Sequence, residues 1–153
     1  MKVKLNTGIP DDERMKIIEE LNKLLADVYV TFVQARNFHW NVVGKNFNDL
    51  HSKFQGIYEM MDGTGDSLAE RVRMLDGTPD STMAMWLSKA SLKEVVAVET
   101  AEAMVVVLIS NLESIIMSMR NMCEDTDEAT ETMLGAMMED IEKQVWMLRS
   151  FLG

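Results

Sequence analysis

The sequence predicts an all-α protein, a four-helix bundle with a short extra helix in one long connection. In four long segments, apolar residues recur at intervals of three and four, which is the repeat of one face of an α-helix. The longest separation between these segments, residues 77–91, contains a short apolar stretch of its own. Since 153 residues suffice to bury one core, we expect a single domain over residues 1–153, with residues 1–10 as a short N-terminal arm.

The first helix is predicted over about residues 12–42. Pro10 is a typical start signal and Gly44 a typical stop signal. Continuing the apolar spacing along this helix places His39 on the face that points to the core. The apolar residues that define this face are Ile18, Leu21, Leu25, Val28, Phe32 and Ala35.

The second helix is predicted to begin near Asn46 or Asn48 and to end at the turn of residues 76–79. Three glycines lie in its interior: Gly56, Gly63 and Gly65. Each glycine costs about 1 kcal/mol relative to alanine in a helix interior. We therefore expect either a kink at these positions or close packing that leaves no room for a side chain.

The third helix is predicted to open at a capping box, residues 91–94, and to continue to about Met122. The fourth runs over about residues 127–151, and residues 83–87 predict a short helix in the connection between the second and third helices. One long crossover and two short connections are the connectivity of a ferritin-like four-helix bundle.

The composition disfavours several classes of function. The 25 acidic residues outnumber the 15 basic ones, and the resulting net charge of −10 disfavours DNA or an anionic membrane as a partner. Only Lys2 and Lys4 resemble a basic arm. The sequence contains no run of eighteen apolar residues and no apolar signal core, and the single Cys123 excludes an intrachain disulfide. These features predict a soluble, cytoplasmic protein.

Four side chains are candidate metal ligands: His39, His51, Asp66 and Glu70. If the last three share one helix, the two carboxylates lie one turn apart on one face. His51, however, lies roughly 22 Å from Asp66 along the helix axis. One metal ion cannot bridge that distance, so a single site would need a second copy of the chain in a symmetric oligomer. The alternative is that the histidines are core or cap residues and the carboxylates belong to a solvated helix face.

A di-iron site inside the bundle would need Glu-x-x-His pairs, but Arg36 and Asn48 stand three residues before the two histidines. The sequence instead carries Asn-Phe-His-Trp-Asn-Val-Val-Gly at 37–44, Asn-Phe at 46–47, Leu-His at 50–51, Asp-Ser-Leu-Ala-Glu-Arg at 66–71 and Glu-Lys-Gln-Val-Trp-Met-Leu at 142–148. In these motifs the chain resembles the Dps family, the twelve-subunit miniferritins, over nearly its whole length.

The resemblance implies a ferroxidase whose iron site is shared between two protomers. One protomer would supply His39 and His51. Its two-fold mate would supply Asp66 and Glu70. Iron(II) would be oxidised there, preferably by hydrogen peroxide, and stored as an iron(III) mineral in a hollow dodecamer. Trp40 is then a candidate one-electron donor, although a tryptophan at a helix interface more often serves packing.

Gln55 departs from the family pattern. Dps-like proteins usually carry Asp or Glu four residues after the second histidine, where it helps to hold a second iron. The neutral amide at this position puts the second metal position in doubt and leaves the first one intact.

Two other functions remain open. A DNA-compacting protein of the same fold is disfavoured by the negative charge and the short basic arm. A helical interaction module without metal is the other possibility.

Acidic residues at the corner between the third and fourth helices either line a pore for iron or form a solvated corner and helix N-terminus, where acids are favoured. They are Glu124, Asp125, Asp127, Glu128 and Glu131.

Overall fold

The computed structural model describes residues 5–96 and 98–153 and contains no strand within them. Its helices are α1 (Asp11–Asn41), α2 (Phe47–Met74), α3 (Met83–Lys89), α4 (Ala101–Cys123) and α5 (Glu128–Leu152). The four long helices and the short crossover helix confirm the predicted all-α ferritin-like bundle. Lys2 and Lys4, the predicted basic arm, lie outside the described residues.

The corner between α1 and α2 is a tight reversal that brings the two helices side by side. Helix α1 ends with the amide of Val42 bonded to the carbonyl of Phe38, and Gly44 then adopts a left-handed conformation with φ of 113°. That conformation is accessible to glycine at low cost. Because the reversal is short, the last turn of α1 faces the first turn of α2.

One apolar core runs through the bundle. The most deeply buried residues of each long helix follow the predicted three-four spacing, and burying each such side chain contributes about 1.5–3 kcal/mol. Representative core residues are Leu21, Leu25 and Val28 of α1, Phe54, Ile57 and Met61 of α2, Leu108, Leu112 and Ile115 of α4, and Leu134, Ile141 and Leu148 of α5. This core fixes the relative positions of α1 and α2, which carry all the candidate ligands.

The predicted start of the third long helix is wrong. Helix α4 begins ten residues later, at Ala101, where the Thr100 side chain accepts a hydrogen bond from the amide of Ala103. The segment that starts at Ser91 is instead bound to α1. Asp27 accepts hydrogen bonds from the hydroxyl of Ser91 and the amide of Leu92. These hydrogen bonds tie the segment to α1, and no helix starts at the predicted capping box.

The crossover continues along α1 through a second polar tether. Gln34 accepts a hydrogen bond from the amide of Val95 over 2.8 Å and donates one to its carbonyl over 3.1 Å. Earlier in the crossover, Trp86 of α3 stacks on Tyr29 of α1 with ring centroids 3.9 Å apart. The crossover is therefore fastened to α1 at several points.

Helix α2 runs without interruption through its three glycines. At Gly65, an added Cβ would lie 3.0 Å from the ring of Tyr29, so close packing explains this glycine. At Gly56 and Gly63, an added Cβ would meet nothing within 4 Å in the described protomer. The close-packing alternative therefore holds at one of the three positions.

Helix α4 is long and apolar enough to cross a membrane, with a mean hydropathy of 1.6 over its most apolar window. Its inward face packs in the bundle, where Val105, Leu108 and Leu112 are fully buried. The high hydropathy therefore reflects a core helix of the bundle.

Candidate metal centre

The two histidines lie in contact at the α1–α2 corner. Their ring centroids are 3.8 Å apart and their planes differ by 22°. Nδ1 of His39 lies 2.8 Å from the main-chain oxygen of His51, and Nδ1 of His51 lies 2.8 Å from the main-chain oxygen of His39. A carbonyl oxygen only accepts hydrogen bonds, so each Nδ1 carries a proton and donates. In the neutral ring, the lone pair is then on Nε2, the atom that remains for a metal.

Aromatic side chains support this pair on both sides. The ring of Phe47 stacks on His51 at 5.0 Å, and the ring of Tyr58 meets His39 edge to face at 5.3 Å. His39 is only 9% exposed, which confirms the prediction that it points where core residues point. The packing and the two hydrogen bonds hold both imidazoles in one orientation, as a metal site requires.

The two carboxylates lie on the same helix as His51 and far from it. Asp66 and Glu70 are exposed, one turn apart on α2. Because α2 is continuous, His51 and Asp66 are separated by roughly 22 Å along the axis. The protomer thus brings the histidines together and the carboxylates together, and keeps the two halves apart. Among the described residues, no group of three or more His, Cys, Asp or Glu side chains is arranged to hold a metal ion.

Arg71, which follows Glu70, forms its side-chain hydrogen bonds with the start of α5. Arg71 donates hydrogen bonds to Thr130 over 2.9 Å and to Asp127 over 2.7 Å, so its guanidinium joins α2 to the start of α5. The carboxylates of Asp66 and Glu70 form no ion pair within the described part of the chain. They therefore remain available to a cation.

Gln55 lies one turn after His51 and is exposed. Its amide nitrogen donates a hydrogen bond to Glu59 over 2.8 Å. The amide oxygen of Gln55 takes no part in that hydrogen bond. Glu59 is a carboxylate that sequence reasoning missed, although its four-residue spacing from Gln55 would have indicated it. The role of Gln55 at a second metal position stays a prediction.

Trp40 follows His39 but lies largely outside the packed corner. Its side chain is 67% exposed, and the guanidinium of Arg36 lies 5.5 Å from its ring centroid. A cation over the ring face is attracted to the ring electrons and opposes their removal. The role of Trp40 as an electron donor stays a prediction.

The acidic corner divides into one structural residue and four exposed ones. Asp127 caps α5, accepting hydrogen bonds from the amides of Ala129 and Thr130, and pairs with Arg71. Burial alone would raise the pKa of Asp127, but its hydrogen bonds from Thr130 and the charge of Arg71 outweigh burial and lower it. The exposed side chains are Glu124, Asp125, Glu128 and Glu131.

Comparison with known proteins gives the family of this chain. The family model of the ferritin-like domain matches residues 18–153. The DNA protection during starvation protein of Brevibacillus brevis is 40% identical over 136 residues, which cover 86% of this chain and 91% of that protein. The chain belongs to the Dps family of ferritin-like proteins. The crystal structure of a Dps protein from Bacillus brevis matches with a TM-score of 0.90 at 36% identity and covers 95% of this chain and all of that chain.

A second solved Dps structure extends the comparison. The Dps protein of Vibrio cholerae O1 matches with a TM-score of 0.92 at 29% identity, and the match covers all of this chain and 99% of that chain. That protein is described as a member of a broad superfamily of ferritin-like diiron-carboxylate proteins. Dps identity supports a miniferritin-type role in iron storage or DNA protection.

Proposed function

We propose that this protein is a ferroxidase and iron store that oxidises iron(II) with hydrogen peroxide at sites shared between protomers. Iron is its substrate and cargo. Each site combines His39 and His51 of one protomer with Asp66 and Glu70 of a two-fold mate, within a hollow dodecamer in the cytoplasm. Imidazole and carboxylate ligands hold iron(II) and leave coordination positions open for the oxidant.

The observation that carries the proposal is the reciprocal hydrogen bonding of the histidines. A histidine pair buried only for packing needs no particular tautomer. Here, each Nδ1–H donates to the other residue's carbonyl, which leaves the Nε2 lone pair of each ring for a metal. Two imidazoles oriented in this way supply half of a coordination sphere.

The separation of the two half-sites supports sharing between protomers. Asp66 and Glu70, one turn apart on α2 and without an ion pair among the described residues, would supply the anionic oxygen ligands that the imidazoles lack. They cannot reach the histidine pair within one chain. A two-fold axis would pair each histidine half with a carboxylate half and produce two equivalent sites in each dimer.

The overall reaction has a fixed electron balance. Hydrogen peroxide accepts two electrons and two protons and yields two water molecules, and each iron(II) supplies one electron. Two iron(II) ions are consumed for each peroxide, so no hydroxyl radical is released. The iron(III) is stored as a mineral inside the shell.

DNA protection is the second candidate function, because the relatives carry that name. The net charge of −10 opposes binding to a polyanion. We therefore assign protection, where it occurs, to the removal of iron(II) and peroxide, with no contact to DNA required.

The assembly and the chemistry are tested together by native mass spectrometry and iron analysis. The protein is given aerobic iron(II) or anaerobic iron(II) with peroxide, and bound iron is measured after gel filtration. A twelve-chain mass with retained iron(III) is expected. A colourless protein without iron would contradict the proposal and favour a metal-free helical module.

A further inference from the structure

Aromatic rings of α1 and α2 form a continuous row that ends at the histidine pair. Tyr58 meets His39 edge to face at 5.3 Å. Phe32 lies 6.0 Å from Tyr58, and Tyr29 lies 6.0 Å from Phe32, both in edge-to-face geometry. We call Tyr58, Phe32 and Tyr29 the aromatic row. Packing alone does not require both phenols to lie in it.

The other end of the aromatic row lies beside the carboxylate half-site. The ring of Tyr29 packs against Gly65, where an added Cβ would lie 3.0 Å away, and Gly65 immediately precedes Asp66. Burial, and then the charges of Asp62 and Asp66, raise the pKa of the Tyr29 phenol. Within one protomer, the row therefore connects the histidine half-site to the carboxylate half-site.

The two half-sites of one protomer belong to different iron centres if the proposed function is correct. From this geometry, we infer that the aromatic row transfers single electrons between the two iron centres of a dimer, so that two iron(II) ions at separate centres share one peroxide. This inference rests on the proposed function and extends it.

Because Gln55 is neutral, a centre that holds one iron(II) needs a second electron from outside the centre. The neutral amide adds no charge to hold a second iron(II) at the same centre. One iron(II) alone reduces peroxide by one electron and leaves hydroxide and a hydroxyl radical. A second electron has to come from another donor if the radical is to be avoided.

The electron balance closes through the two tyrosines. Iron(II) at the first centre and Tyr58 each give one electron to peroxide. The phenolic proton of Tyr58 and one proton from solvent complete two water molecules, which leaves iron(III) and a neutral Tyr58 phenoxyl radical. Tyr29 then returns one electron to Tyr58, which takes up a proton from solvent while Tyr29 releases its own proton to solvent. Iron(II) at the second centre reduces the Tyr29 radical, which takes a proton from solvent.

The surroundings of the row suit this sequence. The two phenol rings each lie 6.0 Å from Phe32, so their centroids are at most about 12 Å apart, and Phe32 fills the space between them. The guanidinium of Arg36 lies 4.8 Å from the Tyr58 centroid. Its positive charge opposes a cationic radical, so Tyr58 has to release its proton together with the electron. Trp86 covers one face of Tyr29 at 3.9 Å.

The test is simple to interpret because Tyr29 and Tyr58 are the only tyrosines in the chain. Assembled full-length protein is loaded anaerobically with one iron(II) per centre and mixed with peroxide. Iron oxidised per peroxide, trapped hydroxyl radical and freeze-quenched electron paramagnetic resonance are measured on the same samples. Tyr58→Phe and Tyr29→Phe keep the ring and its packing, and Trp146→Phe on α5 is the control.

Wild type and the control are expected to oxidise two iron ions per peroxide, with a transient phenoxyl signal and little trapped radical. Each tyrosine variant is expected to approach one iron per peroxide with several-fold more trapped radical. The double variant should lack the phenoxyl signal. Unchanged stoichiometry and radical yield in both tyrosine variants would overturn the electron transfer and leave the ferroxidase proposal standing. Absence of iron oxidation in wild type would overturn both.

Discussion

The amide of Gln55 donates a hydrogen bond to the carboxylate of Glu59, one turn further along α2, over 2.8 Å. The position that follows His51 by one turn therefore holds a neutral donor tied to an anion. A carboxylate there would repel Glu59 by a few tenths of a kcal/mol until a cation arrived. From this relationship we predict that Gln55 limits the occupancy of a second iron.

Replacing Gln55 with Asp is expected to raise the occupancy of that second iron. The added charge offsets part of the repulsion between two dications. Anaerobic titration with iron(II) measures the number of ions bound per site. Gln55→Ala removes the same hydrogen bond and adds no charge, so it should give no gain. Two irons of similar affinity in the native protein, with no improvement in the Asp variant, would show that Gln55 does not tune the metal.

Replacing Asp66 with Ala is expected to abolish fast iron oxidation by peroxide and to leave the helical fold intact. Loss of a group that merely supports a metal ligand costs about 10–100-fold, so loss of a ligand should cost at least as much. Stopped-flow absorbance measures the rate and circular dichroism measures the helix content. Glu139→Ala, at an exposed carboxylate of α5, is the matched control and should keep the wild-type rate. A wild-type rate in the Asp66 variant would remove this residue from the site.

Asp127 is expected to stabilise the fold in a pH-dependent way. Its pKa is lowered in the folded state, so its stabilisation is present above the ordinary Asp pKa and is lost as the pH falls below about 4. Asp127→Asn keeps an N-cap side chain and removes the charge opposite Arg71, which should cost about 1–3 kcal/mol at neutral pH. Thermal unfolding should show a smaller loss of stability in the variant at acidic pH than at neutral pH. An equal difference at both pH values would contradict this role.

DNA binding is expected to be weak. Twelve chains of charge −10 would give the shell about −120 in total, and phosphate repulsion should dominate unless a local basic segment overcomes it. A gel-shift assay with plasmid DNA at physiological salt and neutral pH measures this. Tight binding that is lost in a Lys2→Ala, Lys4→Ala variant would mean that the N-terminal arm outweighs the charge of the shell.

The sequence predicts the fold well because the apolar spacing of four long helices leaves few other arrangements. It fails at residues 91–94, where the capping-box pattern matches a helix start, but Asp27 of α1 binds the hydroxyl of Ser91 and the amide of Leu92. Local pattern cannot reveal a partner that is more than sixty residues away in the chain.

The candidate site is predictable in its residues and not in its geometry. The spacing of His51 and Asp66 along one helix is enough to indicate two separate half-sites. The reciprocal hydrogen bonds of the histidines depend on the exact reversal at Gly44, which spacing cannot give. The sequence does contain a sign of the aromatic row, since Tyr29, Phe32 and His39 follow helical spacing along α1.

The central claim is that each iron site is shared between two chains, and mixed shells test it most directly. Chains with His39→Ala and His51→Ala are co-expressed with chains that carry Asp66→Ala and Glu70→Ala, and mixing is verified by native mass spectrometry. Neither variant alone should oxidise iron rapidly. With random pairing, half of the dimers are mixed and half of their sites are intact, so about one quarter of the wild-type activity should return. No recovery in verified mixed shells would contradict a shared site.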